Sequence, residues 1–192
     1  MRTVFTAALL VAFATAAQAY VPPTDKLVAA WTQTYEKAPP FLIAGTLEQG
    51  ATSQPFRAWS SPKGVVFEVA GRPVSDPTAV LALGLLLAPA KTYPVLLEVG
   101  LDTAKDGLAR FEGKIAYTIG SVGEKQPGTQ LWLDRQTFAP ALVLIERNGK
   151  PAGRIDFTGY SASPSRLVPT EIRLDVDGLR LLRIENLTTL KR

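Results

Sequence analysis

The chain has 192 residues, 21 of them basic and 17 acidic, with neither cysteine nor histidine. Those absences remove disulfide staples, thiolate and imidazole metal sites, Ser-His and Cys-His nucleophile pairs and the imidazole proton shuttle. The net charge of +4 is spread among acids, as in Glu171-Ile172-Arg173-Leu174-Asp175, which is the pattern of a solvated strand face. Phosphate backbones need a concentrated basic surface instead, so no nucleic-acid partner is expected.

Met1-Arg2, an apolar run over 4–14 and Ala17-Gln18-Ala19 ahead of Tyr20 read as a secretory signal peptide over 1–19, cleaved between Ala19 and Tyr20. The run is short for the ~20 apolar residues of a spanning helix. No cysteine follows it to be acylated, so the expectation is a soluble, unanchored protein exported across the inner membrane. The leader takes Arg2 and no acid, so the mature net charge is +3. The remaining 20–192 is one domain's worth of chain, held by burial alone.

Thr24 can cap a helix over 24–38, with Leu27, Val28, Trp31, Thr34 and Tyr35 on one face, ended by Pro39-Pro40. From Phe41 the period becomes two: strands over 41–49, 56–60 and 65–70 are joined by turns at 49–53 and Pro62-Lys63-Gly64. Links this short make an antiparallel meander. Ser75-Asp76-Pro77 is a helix start, opening a segment over 76–88 that is apolar on all sides from Ala79 to Ala88 and must therefore be covered on several sides. Pro89 ends it, and a shorter helical piece follows over 93–99.

Strands resume at 108–112 and 114–120, then 131–133 and 141–147, divided by Asp134-Arg135-Gln136-Thr137-Phe138-Ala139-Pro140. Asn148-Gly149 is a tight-hairpin dipeptide returning the chain through 154–160. After a loop over 161–165, strands over 171–176 and 179–187 turn at Asp177-Gly178. About ten strands in one mostly sequential sheet, with two or three helices, make an α+β domain: a curved antiparallel sheet with helices packed on one face.

Short matches to chemical motifs fail on context. Ser60-Ser61-Pro62-Lys63 fits S-x-x-K but reads as a hairpin turn, where that motif needs a helix start. Gly159-Tyr160-Ser161-Ala162-Ser163 lacks the second glycine of a nucleophile elbow. Asp175 and Asp177 flank a turn as solvated carboxylates, and Asn186-Leu187-Thr188 is an isolated glycosylation pattern. No catalytic residue, metal or cofactor is expected, and the protein reads as a non-enzyme.

The order of elements, together with Trp132-Leu133-Asp134-Arg135-Gln136-Thr137-Phe138-Ala139-Pro140, resembles the W-x-D-x-x-T-x-x-P stretch of LolA/LolB-like outer-membrane lipoprotein carriers and sorting proteins. The likeness continues through Gly153 to Tyr160, Pro169-Thr170-Glu171-Ile172 and the closing Asp177-Gly178 hairpin. It implies an incomplete β-barrel with helices on its concave side and a hydrophobic cavity that shelters acyl chains in the periplasm. It also implies a monomer whose partners are lipoprotein or other amphiphilic lipid cargo and a membrane-bound donor or acceptor protein. Cavity and lid residues are then Trp59, Phe67, Val69, Val80, Leu83, Leu86, Leu87 and Trp132, with the helix over 79–88 either a displaceable lid or static core. The family's basic lid latch has three candidates, Arg57, Lys63 and Arg72, and this chain passes almost directly from Ala70 into a helix where the carriers insert further strand. The superfamily also holds periplasmic regulators that bind a membrane partner, which implies the alternative of a protein-interaction module without lipid.

Overall fold

A computed structural model describes residues 20–160, 168–176 and 178–190. The leader with Ala19, the loop over 161–165 and Asp177 lie outside the described residues. Three helices and eleven strands are present among those residues: α1 (Thr24–Glu36), β1 (Phe41–Gln49), β2 (Thr52–Ser61), β3 (Gly64–Val69), β4 (Arg72–Pro73), α2 (Pro77–Leu87), α3 (Pro89–Glu98), β5 (Asp106–Phe111), β6 (Lys114–Ile119), β7 (Gln130–Asp134), β8 (Pro140–Arg147), β9 (Lys150–Thr158), β10 (Glu171–Asp175) and β11 (Leu179–Thr189). The expected α+β class holds, with one antiparallel sheet in the order β4-β3-β2-β1-β11-β10-β9-β8-β7-β6-β5. The strand beyond the expected ten is β4, whose two residues are too few to show an alternation.

The order explains the shape. First and last strands meet at the centre, where β1 pairs β11 over its whole length, and the free edges are β4 and β5. The chain crosses from one free edge to the other through α2 and α3. α2 touches β2, β3 and also β10, which lies three strands beyond β2, so the sheet must wrap around the helix. At the β1–β11 seam the register shifts between Ala44 and Gly45. A Cβ on Gly45 would stand 1.8 Å from the Arg183 carbonyl oxygen, so only glycine admits that approach.

The inner face is the core. Ile43, Phe56, Phe67, Leu131, Ile155 and Ile172 meet Leu27 and Trp31 of α1 and the leucines of α2 in one cluster. α1 follows the expected stripe, with Leu27, Trp31 and Tyr35 buried. Its start differs: the N-cap position is Pro23 with no side-chain cap. Thr24 is already helical, and its hydroxyl donates to Asp106 Oδ2 at 3.1 Å, tying α1 to the edge strand β5. The third helix begins four residues earlier than the periodicity implies, because Pro89 sits in its first turn, where a missing N–H costs nothing. Asn148 and Gly149 take positive φ values of 53° and 72° in the two-residue β8–β9 turn, as that dipeptide implies.

Candidate functional site

The concave side of the sheet is filled by α2. Its sequence PTAVLALGLLL has no polar face, and Ala79, Leu81, Ala82, Leu83, Gly84, Leu85 and Leu86 are all buried. Leu83 and Leu85 are 0% exposed and Leu86 1%, so side chains fill the concave side of the sheet. A helix covered on every side must have strands and helices around it, and the wrapped sheet with α1 and α3 supplies them.

Three polar ties hold α2. At its start Asp76 Oδ1 accepts from the amides of Thr78 and Ala79, each at 3.0 Å, which is the expected N-cap. The other carboxylate oxygen of Asp76 pairs with Arg180 of β11, and both side chains are largely buried. Near its C-terminal end, the Trp31 indole N–H donates to Leu85 O at 3.1 Å. Past Leu87 a single residue, Ala88, separates α2 from α3, and Gly84 packs so closely on Thr92 that a Cβ would lie 2.4 Å from its Oγ1.

The basic residue facing α2 is thus Arg180, not one of the three candidates read from the sequence. Arg57 pairs with Glu68 across β2 and β3 on the outer face, Lys63 lies in the β2–β3 turn, and Arg72 is exposed on β4. Arg180 is the second residue of β11 and stands 104 residues from Asp76, so no local feature of the sequence reports the pairing. Lys91 ties α3 to the end of β2 and its turn, its ammonium donating to Ser61 O at 2.9 Å and Pro62 O at 2.7 Å.

Of the eight cavity and lid residues read from the sequence, six come together. Phe67 and Val69 on β3 and Leu83 and Leu86 on α2 are in the main core, with Val80 and Leu87 partly buried against it. Trp59 and Trp132 do not join them. Trp59 alternates with the buried Phe56 and Ala58 and so projects from the other face of β2. Trp132 lies between Leu131 and Leu133, both inward, and belongs to a separate outer cluster with Phe111, Ala116 and Leu142. Its indole N–H donates to Gln130 Oε1 at 2.8 Å, and Gln130 binds the carbonyls of Gly123 and Gln126 in the loop above. Asp156 and Glu124 hold Arg154 over the same cluster and keep its guanidinium protonated well above the usual range.

The W-x-D-x-x-T-x-x-P stretch builds a turn. Asp134 Oδ1 accepts from the Gln136 and Thr137 amides and from the Thr137 hydroxyl, all within 3.0 Å, fixing the β7–β8 link. Phe138 then stacks on Tyr117 at 5.8 Å. Ser60 and Lys63 stand on a strand and a hairpin turn, where Ser61 Oγ accepts the Lys63 amide, so the S-x-x-K match has no helix to act from. Among the described residues, no group of three acids stands where it could hold a metal ion.

Two phenols close one end of the core, that of the buried Tyr35 and that of the half-buried Tyr160. Tyr160 donates to Pro140 O at 2.5 Å and is hydrogen-bonded to Tyr35 of α1. Desolvation pushes both hydroxyls well above the usual tyrosine range. Beside Tyr35 a cleft of about 210 Å³ opens between the last turn of α1, Pro39-Pro40-Phe41, Ser60 and Leu87.

Neither a protein-family model nor a curated protein matches the sequence. Among solved structures, the chain is similar to a LolA superfamily protein from Nitrosomonas europaea, with TM-score 0.54, 10% identity, and 90% of this chain covered against 96% of that one. It is similar also to a DUF1329 family protein from Desulfovibrio piger, with TM-score 0.52, 9% identity, and coverages of 88% and 94%. A third likeness is to a Vibrio parahaemolyticus domain described as outer membrane lipoprotein-sorting, with TM-score 0.51, 10% identity, and coverages of 87% and 93%. No helix among the described residues is long and apolar enough to cross a membrane. An open eleven-stranded sheet wrapped around an apolar helix, matched over nine-tenths of the chain, is the LolA-like fold.

Proposed function

We propose that the protein is a periplasmic carrier or binding protein that shelters lipidated or otherwise amphiphilic cargo on the concave face of its sheet, without covalent chemistry. The observation that carries this reading is α2, an eleven-residue helix with no polar face seated where such cargo would lie. A fully buried leucine contributes about 1.5–3 kcal/mol, so Leu81, Leu83, Leu85 and Leu86 together hold α2 in place with about 6–12 kcal/mol. A buried methylene contributes about 0.8 kcal/mol, so about 8–15 methylenes of a cargo chain would offset that loss. One long acyl chain falls in this range, which makes the exchange of helix for cargo energetically even. The likeness to a domain described as lipoprotein-sorting supports the same class of cargo.

A second reading, an interaction module without lipid, is favoured by the filled interior. The cleft beside Leu87, about 210 Å³, is smaller than the ~300 Å³ at which small-molecule pockets begin, as expected of an α2 that never leaves the core. Gentle native mass spectrometry of protein taken from its own periplasm separates the two. A co-purifying lipid or lipopeptide supports the carrier, whereas repeated recovery of bare protein beginning at Tyr20 favours the module. The same spectrum tests cleavage after Ala19, which a retained leader or an attached acyl group on the chain would overturn.

A further inference from the structure

We infer that β5 is an interface at which two copies of this chain pair edge to edge, antiparallel, joining their sheets. The pairing is independent of any cargo, and it departs from the monomer that the family resemblance implies. The two free edges of the sheet differ. β4 is two residues long and ends in Pro73, which has no N–H to offer, so that edge is closed to pairing. β5 pairs β6 without a register shift from Asp106↔Ile119 to Phe111↔Lys114, so its other side is a regular run of six residues. Gly120 N donates to Lys105 O at 2.9 Å, so the Lys105 carbonyl faces β6 and, with a period of two, so do the backbone groups of Gly107, Ala109 and Phe111. The two-residue turn at Glu112-Gly113, with φ of 49° and 79°, closes on the Phe111↔Lys114 pair and agrees with that phase. The N–H and C=O groups of Asp106, Leu108 and Arg110 therefore point away from β6, and among the described residues they take no other backbone partner.

The side chains on this edge select a second copy as the occupant. An antiparallel pair that satisfies the outward groups must match Asp106, Leu108 and Arg110 with one another. With Leu108 opposite the partner's Leu108 on a two-fold axis, Asp106 falls opposite the partner's Arg110 at both ends. That register makes about six backbone hydrogen bonds, together with a cross-strand pair of opposite charge at each end. A slip to the next register on either side sets Asp106 against Leu108 or Glu112, so only the centred one matches the charges. Both charges are available: Arg110 is exposed, Asp106 gives Oδ2 to the Thr24 hydroxyl at 3.1 Å and keeps Oδ1, and among the described residues neither makes an ion pair. On the opposite face of the strand Gly107 meets the partner's Ala109, small against small. Val122, 44% exposed, packs over Gly107, where a Cβ would lie 2.4 Å from its Cγ2, and so adds an apolar side chain beside the seam. An extended segment of another protein would need no such self-complementary order in the strand that it meets.

Sedimentation equilibrium of the whole protein over about 1 μM to 1 mM should show a monomer–dimer equilibrium. Arg110→Asp sets like charges at both crossings and should weaken the dimer about tenfold or more, as should Asp106→Arg. Mixed in equal amounts, these two variants meet opposite charges at both crossings and should form a one-to-one heterodimer tighter than either alone. Arg110→Pro, at an exposed position whose N–H the β5–β6 ladder does not use, serves as a second block should Asp106→Arg disturb the Thr24 contact, and circular dichroism reports whether each variant is folded. Hydrogen exchange should show the amides of Asp106, Leu108 and Arg110 gaining protection as concentration rises, while those of Gly107 and Ala109 stay protected throughout. A monomer at every concentration overturns the pairing and leaves the edge to an extended segment of another protein. A dimer weakened by neither folded Arg110 variant also overturns it, because the copies then meet elsewhere, and so does a mixture of the two folded charge variants that associates no more tightly than either alone.

Discussion

Leu86→Ala tests whether α2 yields to cargo. Leu86 is 1% exposed and Ile172 of β10 is 0% exposed, so each alanine truncation removes a buried aliphatic group in the range of about 2–5 kcal/mol. The two positions differ in what lies behind them. β10 is hydrogen-bonded on both sides, to β9 and β11, so Ile172 is part of the sheet in any state that retains the sheet. α2 is bonded to the sheet only through side chains, and a helix that opens keeps part of its stability out of the closed form. Leu86→Ala should therefore cost the smaller amount, about 2–3 kcal/mol, against a larger loss for Ile172→Ala. Binding moves the other way. Opening α2 is part of the cost of binding, so weakening the closed form by about 1–2 kcal/mol raises the apparent affinity for an acyl-chain fluorophore by about fivefold to thirtyfold. Ile172→Ala removes a wall of the site and should lower it. Urea unfolding followed by circular dichroism gives the first comparison, and fluorophore titration the second. Hydrogen exchange should show the amides of 79–87 less protected than those of 171–175. Equal stability losses together with unchanged affinity in Leu86→Ala would make α2 static core.

Gly45→Ala places a methyl 1.8 Å from a backbone oxygen that cannot rotate away, so the β1–β11 seam should open and the protein lose more than about 4 kcal/mol, read as failure to recover folded protein. Asp76→Asn retains a capping oxygen and loses the ion pair, whereas Asp76→Ala loses both and should cost about 0.5–2 kcal/mol more in urea unfolding. A double-mutant cycle of Asp76→Asn with Arg180→Met should give a coupling between the ~0–1 kcal/mol of exposed pairs and the ~3–5 kcal/mol of buried ones, and a coupling near zero would mean that Arg180 does not hold α2. The phenols of Tyr35 and Tyr160 have folded-state pKa values above the ordinary 10.0, so above about pH 10 the unfolded chain releases protons that the folded one keeps. Stability should then fall as pH rises past that point, and Tyr35→Phe with Tyr160→Phe should flatten the fall in urea midpoints measured from neutral to alkaline pH.

Most of the fold was legible because its strands are half-buried. Val65, Phe67 and Val69 face the core while Glu68 faces Arg57, and Ile172 and Leu174 alternate with Arg173 and Asp175, so the period of two survives in the residues themselves. The Asp76-Pro77 start of α2 was legible for a local reason, since the capping carboxylate and the proline act within one turn. The cap assigned to Thr24 was not, because its hydroxyl finds a partner 82 residues away on β5 and no local rule reports that competition. The pairing of the first strand β1 with the last strand β11 has the same character. Gly45 marks it, yet a glycine in a strand says only that something comes close and leaves open which strand it is.

The site was less legible than the fold, and the two tryptophans show why. Trp132 is 1% exposed, as buried as Leu86, so burial would have placed it in the core. What places it elsewhere is parity: Leu131 and Leu133 face inward, so the residue between them cannot. An outward tryptophan would ordinarily be exposed. Here the segment between β6 and β7 folds back over the outer face, with Gln130 bridging the indole to the carbonyls of Gly123 and Gln126 and Glu146 accepting the Gly128 amide at 2.7 Å. That loop carries the polar run Gly123-Glu124-Lys125-Gln126-Pro127-Gly128, and its role as a lid for a second, smaller core depends on hydrogen bonds to groups on other strands. Trp59 lacks such a cover and is only half-buried. Aromatic character therefore pointed to two large side chains without saying which side of a sheet only one residue thick they occupy, and alternation with the flanking aliphatics decides it in both cases.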